Sequence, residues 1–207
     1  MLLKNHAVFE LYNKIMALEE IILVTLASLT NIAMLLTLFP KVKNKIKKIL
    51  MLCGSFGREN KGIYSEFNAA FDPEALKIVL ESKIEIILFP MDLGLKALIK
   101  KDDIEKIKLS NKFGEVFYSL FKKYRGESFE TGLKMYDSLS IIFLLNPFIF
   151  KIQKYYVSVD TQNSISAGTT YIDFKNYLKQ EPNINVAVDL DEIKFNNLIV
   201  EKLINLN

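Results

Sequence analysis

Cysteine and histidine each occur once in this sequence of 207 residues, at Cys53 and His6, and glycine and proline number only 8 and 5. A single cysteine excludes an internal disulfide framework and a multi-cysteine zinc site, and leaves a reducing cytoplasm as the default compartment. The scarcity of glycine and proline, with no low-complexity run, excludes collagen-like, mucin-like and disordered classes. Charge of one sign is scarce too: 27 Lys+Arg against 24 Asp+Glu give a net charge of +3, too small to imply a nucleic-acid partner. Lys41, Lys43, Lys45, Lys47 and Lys48 do cluster, but no arginine or aromatic is interleaved as a stacking surface requires, so the run reads as a solvated face. What is abundant is apolar: half of the residues are hydrophobic, ample for one sizeable core. His6 receives no role.

Ile21 to Phe39 is a stretch of nineteen residues without a charge, just long enough to cross a bilayer, with the lysine cluster directly after it. One reading is therefore a small membrane-anchored protein. The other divides the run into a β-rich piece, Ile21 to Leu26, and a helix opened by Ser28, Thr30 and Asn31 and stopped by Pro40. A buried parallel strand followed by a core helix has the same hydropathy, and this second reading makes a membrane association the lesser expectation. Glu10, Lys14, Glu19 and Glu20 interrupt any apolar core near the start, so no signal peptide is expected.

The pattern along the chain alternates. Residues 7–18 read as a helix, 21–26 as a strand, 30–39 as a helix, and 48–53 as a strand closed by Gly54. A polar loop runs from Ser55 to Asn68. Asp72 followed by Pro73 is an N-cap with proline at the first helical position, and Ile84 to Phe89 is a third strand ended by Pro90. This alternation predicts βαβ units and a mostly parallel open sheet with helices on both faces, which places the 55–68 loop at the carboxyl end of its strand, where such sheets bind ligands. Leu93 to Phe129 reads as helical, with Phe113, Val116, Phe117, Leu120 and Phe121 at core spacing. Asp137 opens another apolar helix, Ser138 to Leu145. Tyr155 to Val159 and Thr169 to Phe174 form a C-terminal antiparallel hairpin around a long turn. A last strand, Ile184 to Val188, precedes a helix with Phe195, Leu198, Ile199 and Leu203 on one face. No linker divides the chain, so 1–207 is expected to be a single domain.

Four ordered blocks carry a resemblance. They are Leu29-Thr30-Asn31-Ile32-Ala33; Leu52 to Asn60 followed by Glu66-Phe67-Asn68 and Asp72-Pro73-Glu74-Ala75; Tyr136-Asp137-Ser138-Leu139-Ser140 with Asn146-Pro147; and Val157-Ser158-Val159-Asp160 with Gly168-Thr169-Thr170 and Asp173. In this order they resemble the inosine-uridine nucleoside hydrolase family over nearly the whole chain. The resemblance implies an α/β nucleoside hydrolase-like fold and cleavage of the N-glycosidic bond of ribonucleosides to ribose and free base, with a bound calcium ion. It implies that Thr30 offers a backbone carbonyl and Asp137 a carboxylate to calcium. It implies further that Asn60, Glu66 and Asn68 hold the ribose hydroxyls, that Leu52 lies beside the sugar, and that Tyr136 stands at the position of the family's leaving-group histidine. The residues taken by themselves leave simpler roles open: Asp137 as a helix N-cap, and Asn60 and Asn68 as turn residues. Glu66 and Asn68 are two apart, so an extended segment would point both to one side.

The resemblance also exposes what is missing. The family's acidic cluster, of the form D-x-D-x-x-x-D-D, is not in this chain; Asp189-Leu190-Asp191 begins the spacing, but Phe195 and Asn196 stand where the later acids belong. Tyr136 replaces histidine, Cys53 a glycine, Ala27-Ser28 the pair Gly-Pro, and Gly94 a threonine. The expectation is a family domain incomplete at its N-terminus: the C-terminal portion of a nucleoside hydrolase, inactive alone and holding calcium weakly or not at all. The alternative is a non-catalytic remnant with a ribose-binding or structural role. Without its opening strands such a domain would expose the edge of the 21–26 strand, which implies a homo-oligomer or a complementing N-terminal fragment as partner.

Overall fold

The computed structural model describes residues 6–124 and 130–206. The end of the helical stretch expected up to Phe129 therefore lies outside the described residues. In chain order the elements are α1 (Ala7–Met16), β1 (Ile21–Thr25), α2 (Thr30–Leu38), β2 (Ile46–Leu52), α3 (Phe67–Phe71), α4 (Pro73–Leu80), β3 (Glu85–Phe89), β4 (Leu98–Ile99), α5 (Lys101–Lys108), α6 (Gly114–Lys123), β5 (Leu133–Lys134), α7 (Ser138–Leu145), β6 (Phe150–Tyr155), β7 (Val157–Val159), β8 (Thr170–Ile172), β9 (Ile184–Leu190) and α8 (Glu192–Ile204). They form two compact units, one of Met1–Asp92 with Ile152–Ala187 and one of Leu93–Lys151 with Val188–Asn207.

The first unit holds the main sheet, of strand order β1-β2-β3-β9-β6. The pairs β1/β2, β2/β3 and β3/β9 are parallel. Ile49 to Leu52 and Ile86 to Phe89 are buried at every successive position. Because side chains alternate faces along a strand, unbroken burial means that both faces of β2 and β3 are covered, the mark of a parallel sheet. β1 is at an edge and is less enclosed, with only Thr25 buried. The expected hairpin is there in shorter form, β7 pairing antiparallel with β8. His6, left without a role by the sequence, is the N-cap of α1, its Nδ1 accepting from the Val8 N–H at 3.3 Å.

The nineteen-residue apolar run is resolved against the membrane reading. It is a five-residue strand, β1, then a nine-residue helix, α2, and nine residues of helix reach only about 14 Å, half of a hydrocarbon core. Among the described residues no helix is long and apolar enough to cross a membrane. The lysine run after it forms a 3₁₀ turn, Pro40–Lys45, and the start of β2. Lys45 donates to the Leu18 carbonyl, Lys47 pairs with Glu20 and Lys48 with Glu85.

The middle third, read as helical throughout, is corrected by short strands and turns between its helices. Met91–Leu95 is a 3₁₀ turn, and β4 pairs antiparallel with β5. Two-residue strands are too short to show a period of two, which is why hydrophobic spacing alone read through them. α5 and α6 are separated at Asn111, whose Oδ1 accepts from the Phe113 N–H at 2.9 Å and whose Nδ2 donates to the Leu203 and Ile204 carbonyls. One side chain thus breaks one helix and satisfies orphan carbonyls at the end of another, α8. Phe150 packs edge-on against both Phe143 and the fully buried Phe195, at centroid separations of 5.6 and 6.5 Å.

Candidate functional site

β2 ends at Leu52, and the chain must turn out of the sheet there. Gly54 makes the turn at φ +70°, where a Cβ is costly, and a Cβ built there would stand 2.6 Å from the Thr170 methyl. Three consecutive backbone N–H groups then point away from the strand ladder, and each meets a side chain from a different segment. Gly54 donates to Glu66 Oε2 at 2.9 Å, Ser55 to Thr170 Oγ1 at 3.0 Å, and Phe56 to Asp92 Oδ2 at 2.8 Å. The Thr170 hydroxyl in turn donates to the Ser55 carbonyl at 2.7 Å. Sequence reasoning assigned no role to Asp92 or Thr170. Both were visible only as members of motifs, Thr170 in the Gly168-Thr169-Thr170 block and Asp92 in the segment just before Gly94.

Glu66 is 6% exposed and caps α3. Its Oε1 accepts from the Asn68 N–H at 2.9 Å, and its Oε2 from the Ala69 N–H at 3.3 Å in addition to that of Gly54. Burial pushes its carboxyl above the ordinary range, opposed by these backbone donors. Asn68, 8% exposed, donates through Nδ2 to the Leu52 carbonyl at 3.1 Å, which fixes its amide and leaves Oδ1 to accept. The two residues do not share an extended segment as expected. Glu66 has extended backbone, but Asn68 is already in the first turn of α3, because Glu66 starts the helix by capping it. Asn60 is exposed; its Oδ1 accepts from the Phe67 N–H at 2.7 Å, so its NH₂ is the group it has left to donate. Leu52 is buried at the end of β2. Cys53 beside it is fully buried, its thiol pushed well up by burial and by Glu66. Thr30 is the first residue of α2, where its hydroxyl donates to Asp72 and its carbonyl lies in line for the N–H four residues on. The first unit thus brings Leu52, Asn60, Glu66 and Asn68 together around one turn. A separate cavity of about 850 Å³ opens at the amino end of β3, lined by three lysines and three glutamates but by none of the expected site residues.

Tyr136 and Asp137 belong to the second unit. With Leu120, Phe121, Tyr124, Lys134, Met135 and Ser138 they line a cavity of about 300 Å³. The Tyr136 ring lies directly over Gly94: a Cβ there would be 2.0 Å from its Cε1. Asp137 sits at the N-cap of α7 but makes no side-chain cap bond. It is exposed as a residue, yet lost hydration on the side lining the cavity pushes its carboxyl above the ordinary range. Burial, then the nearby Tyr136 and Asp137, raise the Tyr124 phenol as well.

Calcium needs six to eight oxygens, several of them carboxylate. Among the described residues no group of three or more His, Cys, Asp or Glu side chains could hold a metal ion. One carboxylate, Asp137, and one helical carbonyl, at Thr30, do not fit a calcium ion by themselves. What the first unit can do is present an amide NH₂ at Asn60 and an amide oxygen at Asn68 to a ligand rich in hydroxyl groups.

A family model described as inosine-uridine preferring nucleoside hydrolase matches residues 2–197. Among curated proteins, the non-specific ribonucleoside hydrolase RihC of Salmonella newport is 37% identical over 183 residues, covering 88% of this chain and 60% of that protein. The chain therefore spans about 60% of the length of the curated relatives it matches. Among solved structures, a plant nucleoside hydrolase superposes with a TM-score of 0.88 at 23% identity, covering 100% of this chain and 69% of its own. A purine-preferring ribonucleoside hydrolase from Gardnerella vaginalis superposes with a TM-score of 0.80 at 22% identity, covering 98% and 66%. At these identities the two structures speak for the fold.

Proposed function

The chain belongs to the inosine-uridine preferring nucleoside hydrolase family, and from that premise we propose that it is the ribose-holding portion of a calcium-dependent ribonucleoside N-glycosidase, inactive by itself. The observation that carries this reading is the family match over residues 2–197. It includes the turn after β2 and the Glu66-Phe67-Asn68 segment. Glycosidic cleavage passes through an oxocarbenium-like sugar, and hydrogen bonds to its hydroxyls are worth most when they fit the distorted ring. Asn60 and Asn68 supply such bonds, Glu66 holds the turn that positions them, and Leu52 packs beneath the sugar. The resemblance puts Tyr136 at the position of the family's leaving-group histidine, and a phenol is a weaker proton donor than an imidazolium. Inactivity of the chain by itself rests on its sequence, in which Phe195 and Asn196 follow Asp189-Leu190-Asp191 where D-x-D-x-x-x-D-D would have its later acids.

Purified chain incubated with inosine or uridine, with and without calcium, is expected to release no reducing sugar while binding ribose in a calorimetric titration. Sugar release above the blank would sink the proposal. The second reading, a non-catalytic nucleoside-binding or structural remnant, is favoured by Glu66, whose carboxylate oxygens are engaged by backbone donors. Supplying a separate segment that carries D-x-D-x-x-x-D-D decides between them: restored hydrolysis supports the first, and ribose binding without hydrolysis the second. The open edge of β1 supports pairing with a further strand, from a second copy or from such a complementing segment. A cytoplasmic setting suits the one buried thiol, Cys53.

A further inference from the structure

The loop from Ser55 to Ser65 carries Asn60 and leads into Glu66, yet its own backbone makes few bonds. Asn60 and Lys61 donate to the Ser65 carbonyl at 3.2 and 3.0 Å, which closes the loop on itself. Asn60 Oδ1 also accepts from the nearby Phe67 N–H at 2.7 Å. The hydrogen bonds that tie down the two ends of the loop come from far along the chain, and most of them from one four-residue segment. At the loop's start, Thr170 grips both backbone groups of Ser55. At its end, Ser65 Oγ donates to the Ala167 carbonyl at 2.8 Å and lies 3.5 Å from Thr169 Oγ1. Between these, Gly168 approaches α3 so closely that a Cβ on it would stand 2.5 Å from Ala70 Cα. Residues 167–170 therefore span both ends of the loop and press on the helix that follows it. Asp92, from the 3₁₀ turn that follows β3, adds the bond to Phe56.

We propose that Thr170 and Asp92 are positioning residues: the 167–170 segment and the turn after β3 clamp the two ends of the 55–65 loop and so set where Asn60 stands for the sugar. This deepens the ribose-holding reading and rests on it only for the identity of the ligand. Thr170 is suited to the task. It is buried, 8% exposed, and its hydroxyl serves at once as acceptor and donor to a single residue. Valine has the same shape but can do neither, while serine keeps the hydroxyl and loses only the methyl that packs on Gly54. At Asp92 the corresponding pair is leucine, which cannot accept from Phe56, and asparagine, which can.

The test uses the full chain and two readouts. Amide hydrogen exchange at Ser55 and Phe56 reports the clamp, with Leu88 in β3 as a control for global opening. Calorimetric titration with D-ribose reports the site. Thr170→Val is expected to lower protection at Ser55 and to weaken ribose binding, each about tenfold, the worth of one net hydrogen bond. Thr170→Ser is expected to restore both. Asp92→Leu lowers protection at Phe56, and Asp92→Asn returns it. In an Asn60→Ala background, Thr170→Val should weaken ribose binding no further, because it acts through Asn60. Unchanged protection and affinity in Thr170→Val overturns the proposal. So does an equal loss of protection at Leu88, which would make Thr170 a general stability residue. If the unmodified chain binds no ribose while Thr170→Val still loses protection at Ser55 alone, the clamp stands and the ribose-holding reading falls.

Discussion

Gly94 and Tyr136 share one volume. The tyrosine ring occupies the place where any side chain on residue 94 would begin, with its Cε1 2.0 Å from an ideal Cβ. If the resemblance holds position by position, its tyrosine for histidine and glycine for threonine are one exchange of bulk between facing positions. Gly94→Ala is expected to destabilise the chain by about 1–3 kcal/mol through overpacking. Tyr136→Ala introduced with it should recover most of that loss, a coupling measurable by a double-mutant cycle of urea unfolding. Glu66 makes a prediction of a different kind. Burial raises its carboxyl above the ordinary 4.5, so the folded chain holds that proton more tightly than the unfolded chain. Stability attributable to Glu66 is therefore greatest below the ordinary value and falls as the pH rises through the raised one. Urea midpoints of the unmodified chain minus those of Glu66→Gln, taken in steps from pH 4 to 7, should decline across that window.

At the scale of elements, Asp72 shows how a local signal becomes a tertiary joint. It caps α4 through the Ala75 N–H at 3.0 Å and also receives the Thr30 hydroxyl from the start of α2. Asp72→Ala is expected to cost about 1–2 kcal/mol, the upper part of the range for a lost cap, read from the same urea unfolding. The cap was legible as Asp-Pro before an apolar run; the bond to Thr30 was not, since the two residues are 42 apart. The middle third was misread for a related reason. β4 and β5 exist only because each finds the other, and Asn111 separates α5 from α6 by bonds that reach α8. β1, read correctly as an apolar strand, is an edge with no lysine or proline to guard it between Ile21 and Leu26. The chain is therefore expected to self-associate as concentration rises, and Ile22→Lys, at an exposed position, to suppress this in sedimentation velocity.

For the molecule as a whole, each unit presents part of what the family resemblance implied. Leu52, Asn60, Glu66 and Asn68 gather in the first unit, while Tyr136 and Asp137 line a cavity in the second. A ligand that binds only the folded state raises the melting temperature with its concentration. With one carboxylate available at the implied position, 1 mM calcium is expected to leave the melting temperature of the chain within about 1 °C, as read by differential scanning calorimetry.

The sequence by itself determined the alternation of strands and helices around the main sheet, the cap at Asp72, and the ordered motifs that resemble the family. These rest on period, on capping chemistry and on ordered motifs, all of which are local. Only the tertiary structure decided that Glu66, Thr170 and Asp92 converge on the N–H groups of Gly54, Ser55 and Phe56, from positions 12, 115 and 36 residues away. It alone decided that Tyr136 lies over Gly94. A turn leaving a parallel strand loses its ladder partners, and its backbone donors must then be satisfied by whatever side chains the fold brings near. No pattern within the turn itself can say which those are.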